Sequence, residues 1–145
     1  LSKLYKVEKF MSEALGKRVW LKSGGYLVIE PTEALCVIDV NTGKYSGKKN
    51  LHDTIMKINT EAAVEIARQL RLRNLSGIII IDFIDMETEE DQRELLSVLS
   101  RVLAKDPVKT SVVEITKLNL VEVTRKKIRR PFHEQAALIK GKADT

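Results

Sequence analysis

Cysteine and histidine are scarce in this sequence, and each shortage removes a class of explanation. The one cysteine, Cys36, has no partner for an internal disulfide, which excludes a disulfide-stapled scaffold and points to a reducing, cytoplasmic setting. The two histidines, His52 and His133, lie far apart in the chain and read as ordinary surface residues, so a Cys/His zinc site lacks donors. The same shortage leaves no Ser/His/Asp or Cys/His arrangement for covalent catalysis. No run of eighteen apolar residues occurs, so no membrane span is expected. Lys3, Lys6 and Lys9 interrupt the N-terminal stretch, which therefore does not read as a signal peptide.

What remains is an ordinary globular composition, 43% hydrophobic and 31% charged over 145 residues, enough for one domain or one domain with a short appendage. A net charge of +5 favours a polyanionic partner without identifying one.

Two short apolar runs that end in aspartate dominate the pattern: Ala34-Leu35-Cys36-Val37-Ile38-Asp39-Val40-Asn41 and Gly77-Ile78-Ile79-Ile80-Ile81-Asp82-Phe83-Ile84-Asp85. Both are β-branched and bounded by turn formers, so both read as buried strands. The four consecutive isoleucines predict burial on both faces of an interior strand. Between the runs, residues 51–71 have helical period, with Asn50 as the expected cap and Ile55, Asn59, Ala62, Ala63, Ile66, Ala67 and Leu70 on the inner stripe. Asn59 is the polar exception on that stripe. A strand–helix–strand unit makes its two strands parallel and neighbouring, by a right-handed crossover, and delivers Asp39 and Asp82 to one edge of a sheet.

The flanking segments complete an α/β fold, a mixed β-sheet with flanking helices. Residues 1–15 have helical spacing and end at Gly16. Strands are expected over residues 18–21 and 26–30, with Pro31-Thr32-Glu33 turning the chain into the first aspartate strand as an antiparallel hairpin. Thr88 caps a second helix that carries Glu89, Glu90 and Asp91 in its first turn, and Asp106-Pro107 stops it. Residues 110–115 read as a strand, and residues 118–123 are apolar but ambiguous. The loop over residues 41–50 holds Lys44, Lys48 and Lys49. Its glycine spacing, and a lysine after Lys48, do not match a nucleotide-binding P-loop. Residues 125–130 are basic at five of six positions.

Two carboxylates brought together repel unless a proton or a cation intervenes. A hard dication suits them: magnesium takes oxygen ligands, often from one or two carboxylates, with phosphate completing its shell. Asn41, two residues after Asp39, is placed to orient it or to cap the loop. Asp85 reads as the start of the next turn. From the residues alone, this is a metal-dependent site that handles phosphates.

Longer motifs resemble the ribonuclease E/G family, and its G branch in particular. They include Ser23-Gly24-Gly25-Tyr26-Leu27-Val28-Ile29, Ile38-Asp39-Val40-Asn41-Thr42-Gly43, Asn59-Thr60-Glu61-Ala62-Ala63, Ile66-Ala67-Arg68-Gln69-Leu70-Arg71-Leu72-Arg73-Asn74-Leu75, Ile81-Asp82-Phe83-Ile84-Asp85-Met86 and Leu120-Val121-Glu122-Val123-Thr124-Arg125-Lys126. The resemblance implies a single-strand-specific endoribonuclease that processes ribosomal RNA and turns over messenger RNA, leaving 5′-phosphate and 3′-hydroxyl ends. It implies one Mg2+ held by Asp39 and Asp82, with Asn41 in support. Lys109 falls where the family has an arginine associated with sensing a 5′-monophosphate, a replacement that alters phosphate binding. Lys44, Lys48 and Arg125 are further expected RNA contacts. The resemblance divides the chain into the tail of a ribonuclease H-like subdomain (residues 1–22), a DNase I-like catalytic subdomain (residues 23–132) and a tail or linker stump (residues 133–145).

The family's oligonucleotide-binding barrel and Cys-x-x-Cys zinc link find no match here, so a zinc-linked dimer is not expected of this chain, although the full-length enzyme is expected to be a homo-oligomer. Leu1 stands where an initiating methionine would, which suggests a piece of a longer protein. The competing readings are a non-catalytic RNA-binding or scaffold fragment, and a deoxyribonuclease or phosphatase of related architecture.

Overall fold

The computed structural model describes residues 16–43 and 51–127. The expected first helix, the Asn50 cap, Lys44, Lys48 and the C-terminal tail lie outside the described residues. Within them the chain runs β1 (Arg18–Trp20), β2 (Tyr26–Pro31), β3 (Cys36–Asn41), α1 (Leu51–Leu72), β4 (Gly77–Asp82), α2 (Glu89–Leu103), β5 (Thr110–Ile115) and β6 (Val121–Arg125). The six strands form one mixed sheet in the order β1-β2-β3-β4-β6-β5.

The first three strands are an antiparallel meander, as the turn residues require. Thr32 closes the turn into β3, its hydroxyl donating to the Leu35 carbonyl at 2.6 Å. Pro31 is the last residue of β2 rather than part of the turn. β3 and β4 pair in parallel across α1, as expected. The ambiguous stretch after residue 118 resolves into β6, which pairs antiparallel with both β4 and β5. β1 is the edge strand of this same sheet, paired with β2.

Both helices and alternate strand residues share one buried cluster. From α1 come Ile58, Ala62, Ala63, Ile66 and Leu70, and from α2 come Leu95, Leu99 and Leu103. The sheet contributes Leu27, Ile29, Ile38, Val40, Ile79, Ile81, Val121 and Val123. Every position of the expected α1 stripe is buried. Thr88 caps α2, its Oγ1 accepting from the Asp91 amide at 3.1 Å, a contact typically worth about 1 kcal/mol.

The alternation of side chains in a strand leaves the second face of the sheet without a helix over it among the described residues. Ile78 is 42% exposed and Val37 is 37% exposed. The run of four isoleucines is therefore buried on one side only, which corrects the expectation of two-sided burial. β4 is interior by its hydrogen bonds to β3 and β6, and a purely apolar run does not distinguish that position from burial on both faces.

Candidate active site

Asp39 and Asp82 are direct register partners on β3 and β4. Adjacent strands lie about 4.8 Å apart, so the two carboxylates stand side by side. They project from the face of the sheet opposite α1 and α2, in the same alternation set as Val37 and Asn41 on β3 and Ile78 and Ile80 on β4. Both residues close the C-terminal ends of parallel strands, the sheet edge where α/β folds bind ligands. The side-chain amide of Asn41 points back to Asp39, Nδ2 to Oδ2, at a long 3.5 Å.

The carboxyl of Asp82 is pushed above its ordinary range, first by partial burial, then by the negative charges of Asp39 and Asp85. Asp85 thus contributes to the local field although it begins the following turn. Among the described residues no group of three or more His, Cys, Asp or Glu side chains gathers in a metal-binding cluster. The donor set is an acid pair with an amide beside it, which is sparse for zinc or calcium. It fits magnesium, which keeps most of its water.

Two features that hold the pair are less visible in sequence. Asn59 is fully buried on α1, and its amide clasps the backbone after Asp82. Nδ2 donates to the Ile84 carbonyl at 2.9 Å, and the Ile84 amide donates to Oδ1 at 3.0 Å. One side chain thereby satisfies both polar groups of a peptide position, as a neighbouring strand would. Its signal was the polar residue on an apolar stripe. On the other side, the turn at Gly24 and Gly25 packs against the end of β3. A Cβ on Gly25 would stand 2.8 Å from the Asn41 carbonyl, and one on Gly43 would collide with the Gly24 carbonyl. Gly43 also has φ +63°, a left-handed conformation suited to glycine.

The remaining expected site residues lie elsewhere. Lys109 is exposed and precedes β5, whose Thr110 is level with Arg125, which is in turn level with Gly77 at the start of β4. Asp82 ends β4, so Lys109 is at the opposite end of the sheet, about 17 Å along the strands. Arg125 is not a surface contact for RNA. It is 3% exposed. Nε donates to Asp106 Oδ2 at 2.9 Å, and Nη1 donates to Asn74 Oδ1 and the Leu75 carbonyl, both at 3.0 Å. The strand alternation turns it into the core beside Val121 and Val123, which corrects its reading as part of a basic RNA-binding run.

A small, partly open cavity of about 20 Å3 lies beyond the Asp82 strand end, lined by Phe83, Ile84, Leu95 and Val121 among others. It has room for about one water. The carboxylates themselves stand on an open face, which suits an extended polymer better than a small molecule.

An acid pair at the C-terminal ends of adjacent parallel strands, with an asparagine beside it, marks the ligand-binding edge of an α/β sheet. The chain belongs to the Ribonuclease E/G family, whose profile matches residues 1–128. It is 56% identical over 126 residues to Ribonuclease G of Salmonella typhimurium, covering 87% of this chain and 26% of that protein. Ribonuclease G of Haemophilus influenzae is 55% identical over the same length. Ribonuclease E of Synechocystis sp. is 49% identical over 130 residues, covering 90% of this chain and 19% of that protein. The chain thus spans about a quarter or less of the length of these relatives.

Proposed function

We propose that this chain carries the catalytic carboxylates of a magnesium-dependent, single-strand-specific endoribonuclease that acts in ribosomal RNA processing and messenger RNA decay. The observation that carries the reading is the in-register pairing of Asp39 with Asp82. Family membership and relatives named Ribonuclease G and Ribonuclease E agree with it. Asp39 and Asp82 would hold Mg2+. When bound, the ion supplies charge neutralisation at the phosphoryl centre and a hydroxide source near neutral pH. Asn41 orients Asp39, and Asn59 holds the chain beyond Asp82. The products proposed are 5′-phosphate and 3′-hydroxyl ends.

Lys109, at the far end of the sheet, is proposed to contact the 5′-terminal phosphate rather than the scissile one. The proposed compartment is the cytoplasm, in keeping with the free, buried thiol of Cys36. Among the described residues no helix is long and apolar enough to cross a membrane.

The test is cleavage of a fluorescent single-stranded RNA with magnesium, with EDTA, and with Asp39→Asn or Asp82→Asn. Each change should lower cleavage by at least about 100-fold, the scale of losing one transition-state electrostatic contact. Magnesium titration by calorimetry should show weakened binding in both variants. Cleavage indifferent to all three changes would refute the mechanism. Undiminished RNA binding with no metal response would favour the non-catalytic scaffold instead.

A further inference from the structure

The face of the sheet opposite α1 and α2 carries more than the acid pair. The register of β1 with β2 sets Arg18 opposite Val28 and Trp20 opposite Tyr26, so all four side chains project from that face. The register of β2 with β3 then sets Tyr26 opposite Asn41 and Val28 opposite Asp39. Trp20 is therefore two strand spacings, about 10 Å, from the Asn41 position.

These residues form a defined group. The Trp20 and Tyr26 ring centroids are 5.0 Å apart with planes tilted by 49°. The Arg18 guanidinium lies 4.4 Å from the Tyr26 ring centroid and 5.8 Å from that of Trp20. Trp20, on an edge strand, nevertheless keeps 51% of its surface exposed.

A cross-strand aromatic pair stabilises a hairpin, and that alone accounts for contact between the rings. It does not require the largest side chain to stay half in water on the face that bears the carboxylates. A flat aromatic surface with a guanidinium beside it is what an unpaired base stacks on, with little dependence on sequence.

We propose that Arg18, Trp20 and Tyr26 form a stacking subsite for a nucleobase of the single-stranded RNA, next to the nucleotide whose phosphodiester lies at Asp39 and Asp82. The subsite rests on the proposed RNA-cleaving role of that pair and adds to it a grip on the strand. Arg18 supplies positive charge toward the backbone, and Trp20 supplies the exposed ring.

Trp20 is the only tryptophan in the chain, so its emission reports on this subsite directly. The full chain, held in EDTA to stop cleavage, is titrated with a dye-labelled ten-nucleotide RNA. Dye anisotropy follows binding and Trp20 emission follows stacking. Quenching should track anisotropy. Trp20→Ala should weaken binding by about 5- to 100-fold, the scale of one lost base–aromatic stack, and Trp20→Phe should restore most of it. An abasic oligonucleotide should bind wild type more weakly and should no longer distinguish Trp20→Ala from wild type.

Binding with unchanged emission, equal affinity for the abasic strand, or no binding by wild type each overturns the subsite. The abasic comparison uses wild-type protein alone, so a misfolded variant cannot mask the result. If Asp82→Asn abolishes cleavage while Trp20→Ala binds normally, only the subsite falls. If cleavage ignores Asp39 and Asp82 while Trp20 is quenched, the subsite stands and the nuclease mechanism falls.

Discussion

Asn59 and Arg125 show how much single polar side chains do in a small core. Asn59 holds both backbone groups of Ile84 from the middle of an apolar helix face. Asn59→Leu fits the stripe but leaves the amide and carbonyl of Ile84 without their partner. It should cost about 1–3 kcal/mol in a urea melt and, by loosening the chain after Asp82, lower cleavage as well. At the other end of the sheet, Arg125 and Asp106 form an ion pair with side chains only 4% and 1% exposed. Removing one partner leaves a buried charge alone, so Arg125→Ala should destabilise by about 3–5 kcal/mol. Burial alone would raise the carboxyl of Asp106, but hydrogen bonds from Arg125 and Val108 and the guanidinium charge hold it below its ordinary value. That contribution is complete above the ordinary carboxylate range and is lost as pH falls through the depressed value. The gap between wild type and Asp106→Asn in thermal melts should therefore shrink in acid. Arg125 was illegible in sequence because a basic run gives no sign of which member points inward. Asn59 was visible as an exception, but its partner lies 25 residues away and appears only in the fold.

At the scale of elements, α1 and α2 are tied at their N-terminal turns by His52 and Asp91. Nε2 of His52 lies 2.9 and 2.8 Å from the two carboxylate oxygens. Hydrogen bonds to Asp91 and Asp53 raise the His52 imidazole above its ordinary value, and Asp91 is correspondingly lowered, first by its bond with His52. A raised histidine stabilises fully below about pH 6.5 and loses that contribution as pH rises through its shifted value. His52→Gln should accordingly melt below wild type at pH 5.5 and approach it at pH 9. Most elements were legible because their signals are local: the Thr88 cap, the α1 stripe and the parallel pairing around a crossover helix. The exposed face of β4 was not. Isoleucine at every position carries no period, and only the placement of both helices on one side decides which residues are covered. β6 was equally obscure, since five residues between two polar stretches acquire strand character from pairing with β4 and β5.

For the whole molecule, the sheet has two ends with different roles. One presents Asp39, Asp82 and Asn41. The other is fastened by the buried Arg125–Asp106 pair, with Lys109 exposed beside it. The acid pair was legible because both aspartates close strong strand patterns. Its register was not, since only the paired sheet shows Asp39 level with Asp82 rather than merely near it.

That register makes the site a sensor of folding. Asp39 and Asp82 are far apart in sequence, and nothing local holds them together in an unfolded chain. Their repulsion is therefore incurred on folding, and a dication that relieves it binds the folded form in preference. Without metal, Asp82→Asn should be more stable than wild type by a few tenths of a kcal/mol, because like charges directly opposite oppose sheet formation and solvent screens much of the effect. With magnesium added, the wild-type melting temperature should climb with the logarithm of concentration while that of Asp82→Asn barely moves, so that the two curves cross. A calorimetric scan at several magnesium concentrations would then read the occupancy of the acid pair from stability alone, with no RNA in the cell.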